Sequence, residues 1–183
     1  MDWLEGLKGG APAVFGALIG SLVGFGTLVI GALFNAKLSR DRDDRLRKVE
    51  VRGVAAALRA ELSSIDETLT DNAQRLRDKP PTNSESFLLP DLSHSVRMFP
   101  ALSSKLGGLD DPLVIQEIIQ IYIVIDQYYE NCLLLGGQPR PEMPNERRLL
   151  LMPSNSADHV ATMNFDIAVR VKNGVGLLNK YLY

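Results

Sequence analysis

The feature that most constrains this chain is an uncharged run near its amino terminus, from Ala11 to Ala36. The run is longer than the roughly 18 consecutive apolar residues that mark a candidate membrane span. As an α-helix it would extend roughly 37 Å, enough to cross a hydrocarbon core of about 30 Å with some tilt. A cleaved signal peptide fits less well, because the start carries two acids against one base and the apolar stretch is too long. The run therefore predicts a retained membrane anchor.

The charges that flank the run predict its orientation. Residues 37–52 hold seven cationic side chains, whereas the first ten residues hold only Lys8. Positive flanks stay in the cytoplasm. We therefore expect residues 1–10 outside and residues 37–183 in the cytoplasm. The single cysteine, Cys132, agrees with a reducing compartment because the chain offers it no partner for a disulfide.

Small residues within the run follow a helical register. Gly16, Gly20 and Gly24 recur at every fourth position, and Gly31 follows seven residues later. In a helix they share an arc of roughly 160°, while most bulky residues and Gly26 lie on the other side. Helices in lipid associate through close backbone approach, which small residues permit. Because a single span has no second span of its own to contact, the arc implies contact with other copies or with another membrane protein. We expect a homo-oligomer, from trimer to pentamer.

The same arc carries the polar side chains of the run, which are Ser21, Thr27 and Asn35. They would either line an aqueous path through an oligomer or form hydrogen bonds across a dry helix interface. Leu28 lies about 20° from Ser21 on an ideal helix and is a candidate apolar constriction of such a path. Both interpretations remain open from the sequence.

The basic stretch after the run has three interpretations. Its candidate contacts for phosphate or lipid headgroups are Arg40, Arg45, Arg47 and Lys48. It would anchor to anionic lipid, set the topology, or bind a phosphate-bearing ligand. Four interleaved acids leave residues 37–52 a net charge of only +3, which favours the first two interpretations for one copy. A ring of copies would gather several arginines around one axis and favour the third.

The rest of the chain predicts an all-α fold with three parts. Residues 1–36 form the short external start and the transmembrane helix, residues 37–79 a stalk helix, and residues 84–183 a small cytoplasmic helical bundle. The stalk keeps an apolar stripe at helical spacing until Pro80 and Pro81 end it. Within the bundle we expect two short helices divided near Pro100, a central helix that starts at the Asp111–Pro112 cap and ends at Gly136, a proline-rich connector, and a last helix over about 158–180. The central helix should be covered on most sides, because it has one apolar face at Val114, Ile118, Ile121, Ile125 and Tyr128 and a second at Ile115, Ile119 and Ile123.

No catalytic or metal-binding pattern occurs in the sequence. His94 and His159 have no ligand at metal-binding spacing, and HExxH, CxxC, GxxxxGK[ST], GxGxxG and GxSxG patterns are absent. Tyr122, Tyr128 and Tyr129 could stack on a base, although buried packing is the commoner role of tyrosine on a central helix. The sequence therefore predicts a protein that is not an enzyme and that needs no cofactor.

In its layout the chain resembles the small single-span membrane effectors of bacterial anti-phage defence systems. The likeness rests on one glycine-rich span, GALIGSLVGFGTLVIGALFNA, followed by a charged stalk and a small helical domain. It implies a bacterial inner-membrane location, a cytoplasmic domain that senses a nucleotide or oligonucleotide signal, and spans that form a pore or disrupt the membrane. The alternative is a membrane-anchored scaffold whose bundle docks a cytoplasmic protein partner.

Overall fold

The computed structural model describes residues 3–82, 85–140 and 149–183, and these residues are mostly helical. Four α-helices lie at α1 Trp3–Asp78, α2 Met98–Leu102, α3 Pro112–Leu134 and α4 Ala157–Asn179. Three strands, β1 Ser86–Pro90, β2 Gln138–Arg140 and β3 Leu149–Pro153, form an antiparallel sheet in the order β1-β3-β2. Three short 3-10 segments cover Leu92–Ser95, Ser103–Gly108 and Ser154–Ser156.

The chain divides into two compact units, residues 1–48 and residues 49–183. In unit 1 the described residues all belong to α1. From Gly16 to Lys48 every residue is exposed except Gly26, which is half-buried. Unit 2 contains the remainder of α1, the other helices and the sheet. The hydrophobic core lies entirely in unit 2.

The core of unit 2 brings together one face of each long helix. Along α1 the predicted stripe is buried at Val54, Leu58, Leu62, Ile65, Leu69 and Leu76. The predicted series on α3 is also buried, at Val114, Ile118, Ile121, Ile125 and Tyr128. From α4 come Val160, Ile167, Val171 and Leu178. The spacings of three and four residues therefore predicted the buried faces correctly.

The two ends of α3 confirm the start and the stop that the sequence predicts for this helix. The Asp111 carboxylate accepts a hydrogen bond from the Leu113 amide at 2.9 Å, and Pro112 occupies the first turn of α3. At the other end Gly136 has a φ of +88°, and the amide of Gly137 donates to the Cys132 carbonyl. Glycine adopts that left-handed conformation at no steric cost, which is why α3 stops there.

Two expectations about unit 2 need correction. The segment expected to hold two short helices instead begins with strand β1, and Pro100 lies inside α2 instead of dividing two helices. The connector after Gly136 holds β2, and β3 follows it. Local periodicity missed the sheet because its pairs are distant in sequence, as when Phe87 pairs with Met152. Only the central strand β3 shows alternating burial, with Leu150 and Met152 inside.

The second apolar face of α3 is also less covered than expected. Ile119 and Ile123 remain 37% and 41% exposed, while Ile115 is half-buried. The helix is therefore buried on one face and partly open on the other, instead of covered on most sides. This open face adjoins one of the cavities described below.

Candidate functional site

Within the described residues, one helix is long and apolar enough to cross a membrane, and that helix is α1. Its apolar side chains in unit 1 contact no core. Leu22 is 67% exposed, Phe25 68% and Leu28 74%. In water such a row of exposed apolar side chains would be costly, since each buried methylene is worth about 0.8 kcal/mol. By length and composition the segment thus meets the requirements of a membrane-spanning helix.

The glycines of the predicted packing arc are not explained by contacts within the chain. A Cβ atom built at Gly16, Gly20, Gly24 or Gly31 meets nothing within 4 Å. The same is true of Gly26, which lies among the bulky residues. Steric need within one copy therefore does not account for glycine at these positions. The arc stays a prediction about contacts with other molecules.

The candidate pore-lining residues all lie on α1, so only the helix itself relates them. Ser21, Leu28 and Asn35 are exposed. Thr27 donates its hydroxyl to backbone carbonyls of its own helix, Gly24 at 2.8 Å or Val23 at 3.1 Å. That bond satisfies the donor without water or a second helix. Thr27 is therefore compatible with either a dry interface or an aqueous path.

The basic candidates Arg40, Arg45, Arg47 and Lys48 are exposed along α1. None of them lines either of the two cavities described below. Two residues further on, in unit 2, Glu50 forms an ion pair with Lys105 at 2.7 Å. The hydrogen bond and charge of Lys105 lower the pKa of the Glu50 carboxyl.

The most organised polar arrangement in unit 2 surrounds the buried carboxylate of Glu61 on α1. Oε2 accepts hydrogen bonds from the backbone amides of Arg97, at 2.6 Å, and Met98. Oε1 accepts from the Phe99 amide at 3.2 Å and from the Tyr122 hydroxyl at 2.8 Å. Glu61 thus supplies the cap of α2, whose own N-terminal residue provides no side-chain cap.

Tyr122 and Phe99 complete this arrangement, which we call the Glu61 network (Glu61, Phe99, Tyr122 and the start of α2). Their rings stack with centroids 4.0 Å apart and an interplanar angle of 18°. Burial, together with the hydrogen bond and charge of Glu61, raises the pKa of Tyr122 well above its ordinary value. The Tyr122 side chain therefore packs inside the protein.

A second buried polar group links α3 to α4. The Tyr128 hydroxyl donates to Asn164 Oδ1 at 3.0 Å, and Asn164 Nδ2 donates to the Val160 carbonyl at 2.9 Å. Burial raises the pKa of Tyr128, and it raises the pKa of the neighbouring Cys132 thiol to about 11. A buried thiol that stays protonated is unreactive. Cys132 is therefore a core residue.

The described residues of unit 2 line at least two cavities. The larger, about 750 Å³, is a groove between α3 and α4 whose polar lining includes Asn131, Asp158, His159 and Asp166. The smaller, about 350 Å³, lies between α3 and the segment 93–100. Among the described residues neither cavity is lined by lysine or arginine. The described lining of the smaller cavity therefore offers a phosphate group no cationic side chain, and that of the larger groove offers only His159.

No cluster of potential metal ligands is present in the described part of the chain. His159 lines the larger groove beside Asp158, while the side chain of His94 lies outside the described residues. Sequence reasoning missed Glu61 and Asn164. Each interrupts an apolar helical stripe, since Glu61 lies between Leu58 and Ile65 and Asn164 between Val160 and Ile167. A polar residue in such a stripe is the signal that would have found them.

Comparisons of the chain with protein-family models, curated proteins and solved structures gave no match. The function must therefore be argued from the residues themselves.

Proposed function

We propose that this protein is an oligomeric single-span membrane protein that forms an ion-conducting pore controlled by its cytoplasmic helical domain. In this proposal unit 1 crosses the bacterial inner membrane with the amino terminus outside, and unit 2 lies in the cytoplasm. The observation that carries it is the long apolar segment of α1, whose side chains have no contact with a core. A lipid bilayer and other copies of the chain supply the missing contacts.

The small-residue arc supports assembly. Gly16, Gly20, Gly24 and Gly31 leave open space where side chains would otherwise stand. Close approach of neighbouring helices needs such space. The basic residues after the span, Arg40, Arg45, Arg47 and Lys48, would contact lipid headgroups from this assembly.

The pore itself rests on the polar residues of the same arc. Ser21, Thr27 and Asn35 are exposed polar side chains in a run whose other residues are apolar. A water-filled path gives them hydrogen-bond partners, and Leu28 is the apolar constriction that keeps the resting path closed. Helix α1 belongs to both units, so a change in unit 2 can act on the pore through the same continuous helix.

An anchored scaffold is the second candidate, because Thr27 already satisfies its donor within its own helix. In that function the span only tethers unit 2, which docks a cytoplasmic protein partner. The feature that favours it is the groove between α3 and α4, whose lining combines apolar side chains with Asp158 and Asp166.

Ion flux from liposomes separates the two candidates. We expect the full chain with Leu28→Ser to leak ions faster than the parent protein, because a hydroxyl lets water enter the constriction. Leu22→Ser is the matched control, since Leu22 is equally apolar and exposed but lies off the arc. Nucleotides and short oligonucleotides are added in separate arms, because the effectors that this chain resembles in layout respond to such signals.

Flux in the Leu28→Ser protein with little change in Leu22→Ser supports the pore. If neither parent nor Leu28→Ser exceeds empty vesicles in any arm, the pore is wrong and the scaffold is the better account. Equal leak from both variants also contradicts the pore, because it indicates general disruption of the bilayer.

A further inference from the structure

The smaller cavity of unit 2 has the construction of a ligand site. Its volume of about 350 Å³ falls at the lower end of the range for small-molecule pockets. It lies between α3 and the segment that holds the first 3-10 turn and α2. Its walls are mainly apolar or aromatic, with Ser93 and Asp126 as the polar exceptions. A mainly apolar wall with few polar groups is typical of sites that orient one small molecule.

The aromatic part of the wall is held firmly in place. Phe99 and Tyr122 both line the cavity and stack on each other. The Phe99 amide and the Tyr122 hydroxyl both bind the carboxylate of Glu61. A ligand that contacts these rings therefore meets a preorganised surface, which lowers the cost of binding.

Two branched aliphatic side chains in the lining of the cavity are partly open to solvent. Ile119 and Ile123 are 37% and 41% exposed. Covering branched aliphatic side chains with an apolar body is favourable. The ring or hydrocarbon part of a ligand would therefore lie across these two isoleucines.

The charge of the lining selects the sign of the ligand. Asp126 is exposed at the edge and is the one ionisable acid or base of ordinary pH range among the described lining residues. A carboxylate favours a cation and disfavours a phosphate or another carboxylate. The cavity is therefore a poor nucleotide-phosphate site and a better site for an organic cation.

We propose that this cavity binds a small organic cation, an ammonium or amidinium group carried on an aromatic or aliphatic body. The body packs against Phe99, Ile119 and Ile123, and the cationic group lies near Asp126. Such binding goes beyond the pore function and does not depend on it. Through the Glu61 network a bound ligand also stabilises the contact between α2 and α1.

Thermal unfolding of the full chain in a non-ionic detergent tests this site. All five tyrosines lie in unit 2, so their near-ultraviolet signal reports its unfolding. Benzylammonium, benzyl alcohol and benzoate are compared as probes of similar shape and different charge. We expect the midpoint to rise most with benzylammonium and least with benzoate, since a ligand that binds only the folded state stabilises it.

Three variants make the test specific. Asp126→Asn should remove the advantage of benzylammonium over benzyl alcohol, a loss of about 5-fold in affinity. Asp126→Glu keeps the charge and should retain the advantage. Asp166→Asn changes an aspartate in the other groove and should leave the response as in the parent.

Loss of the advantage in Asp126→Asn alone supports the site. The proposal is overturned if benzoate stabilises as well as benzylammonium, or if Asp126→Asn responds as the parent does. It is equally overturned if benzylammonium gives no saturable shift up to about 10 mM, because a preorganised site should hold even a fragment at that concentration.

Discussion

Unit 1 and unit 2 each contain part of α1, but the side chains of that helix meet different surroundings in the two units. Leu22 in unit 1 is 67% exposed, whereas Leu58 in unit 2 is fully buried. In unit 2 the apolar residues form one stripe that the other helices cover. In unit 1 they lie on nearly every side of the helix, and no other described element covers them.

The difference teaches which part of the chain carries its own stability. Unit 2 buries its core within one copy, so substitutions there should change its unfolding free energy. Unit 1 has no core in one copy, so substitutions there should act only through lipid or neighbouring copies. Each prediction below tests one side of this contrast, and unit 2 is followed through its tyrosines as above.

The largest expected effect is at Glu61. Glu61→Ala leaves the amides of Arg97, Met98 and Phe99 and the Tyr122 hydroxyl without their acceptor. A buried donor without a partner costs about 1–3 kcal/mol, and solvent will reach some of the four. We therefore expect a loss of about 3 kcal/mol in urea unfolding.

Glu67→Ala is the matched control for Glu61→Ala, because Glu67 lies on the exposed face of the same helix. It should change the unfolding free energy by less than about 0.5 kcal/mol. Similar losses in the two variants would show that the Glu61 network does not hold unit 2 together.

Gly174 is the next test of packing in unit 2. A Cβ atom at this position would overlap Ile121 Cδ1 and would lie 3.6 Å from Leu62 Cδ1. Glycine there lets α4 approach both α3 and α1 closely. Gly174→Val should lower the unfolding free energy by about 2 kcal/mol, since overpacked cores cost about 1–3 kcal/mol.

Gly176 provides the control two residues later on α4. A Cβ atom there meets nothing within 4 Å. Gly176→Ala should therefore raise the unfolding free energy by about 0.5–1 kcal/mol through helix propensity alone. If both variants destabilise unit 2 equally, helix flexibility and not close packing explains these glycines.

These residues also indicate how far the sequence could predict the fold. The buried faces of α1, α3 and α4 followed from spacing, and the start and end of α3 from Asp111, Pro112 and Gly136. The packing role of Gly174 could not be predicted from the sequence, because a glycine inside a helix indicates only a weak helix former. Its close contact with Ile121 depends on how two helices meet in space.

The candidate sites divide in the same way. The candidate membrane span and its orientation could be predicted from the sequence, because both depend only on the length and composition of the apolar run and its flanks. The Glu61 network and the β1–β3 strand pair could not be recognised from the sequence, since they join residues at least 36 positions apart. A single sequence carries no local signal for which distant amides a buried carboxylate will bind.

Alkaline pH tests the buried thiol of Cys132. Its pKa is about 11 in the folded protein against an ordinary value of 9.0. The folded state thus keeps a proton that the unfolded state loses, so the stabilisation is complete below pH 9 and is lost as pH rises toward 11. Between pH 8 and 11 the unfolding free energy should fall by about 1–2 kcal/mol more in the parent than in Cys132→Ala.

The comparison with Cys132→Ala removes the thiol together with its contribution to the raised pKa of Tyr128. Tyr122 also has a raised pKa and adds to the alkaline loss, but it does so in both proteins. Parallel pH profiles for the two proteins would contradict a buried, protonated thiol.

The smallest expected effect on unit 2 comes from Gly20 in unit 1. In one copy a side chain at position 20 or 26 meets no other atom within 4 Å. Neither Gly20→Ile nor Gly26→Ile should therefore change the unfolding free energy of unit 2 by more than about 0.5 kcal/mol. A larger change at either position would break the contrast between the two units.

The same pair of variants sharpens the contrast when assembly is measured. Gly20 lies on the small-residue arc and Gly26 on the bulky side, so only Gly20→Ile should force neighbouring helices apart. Cross-linking of the full chain in membranes should then show fewer oligomers for Gly20→Ile than for Gly26→Ile. Because position 20 is open within one copy, such a loss can come only from contacts with other molecules. Equal cross-linking in the two variants would mean that the helices do not meet along the arc.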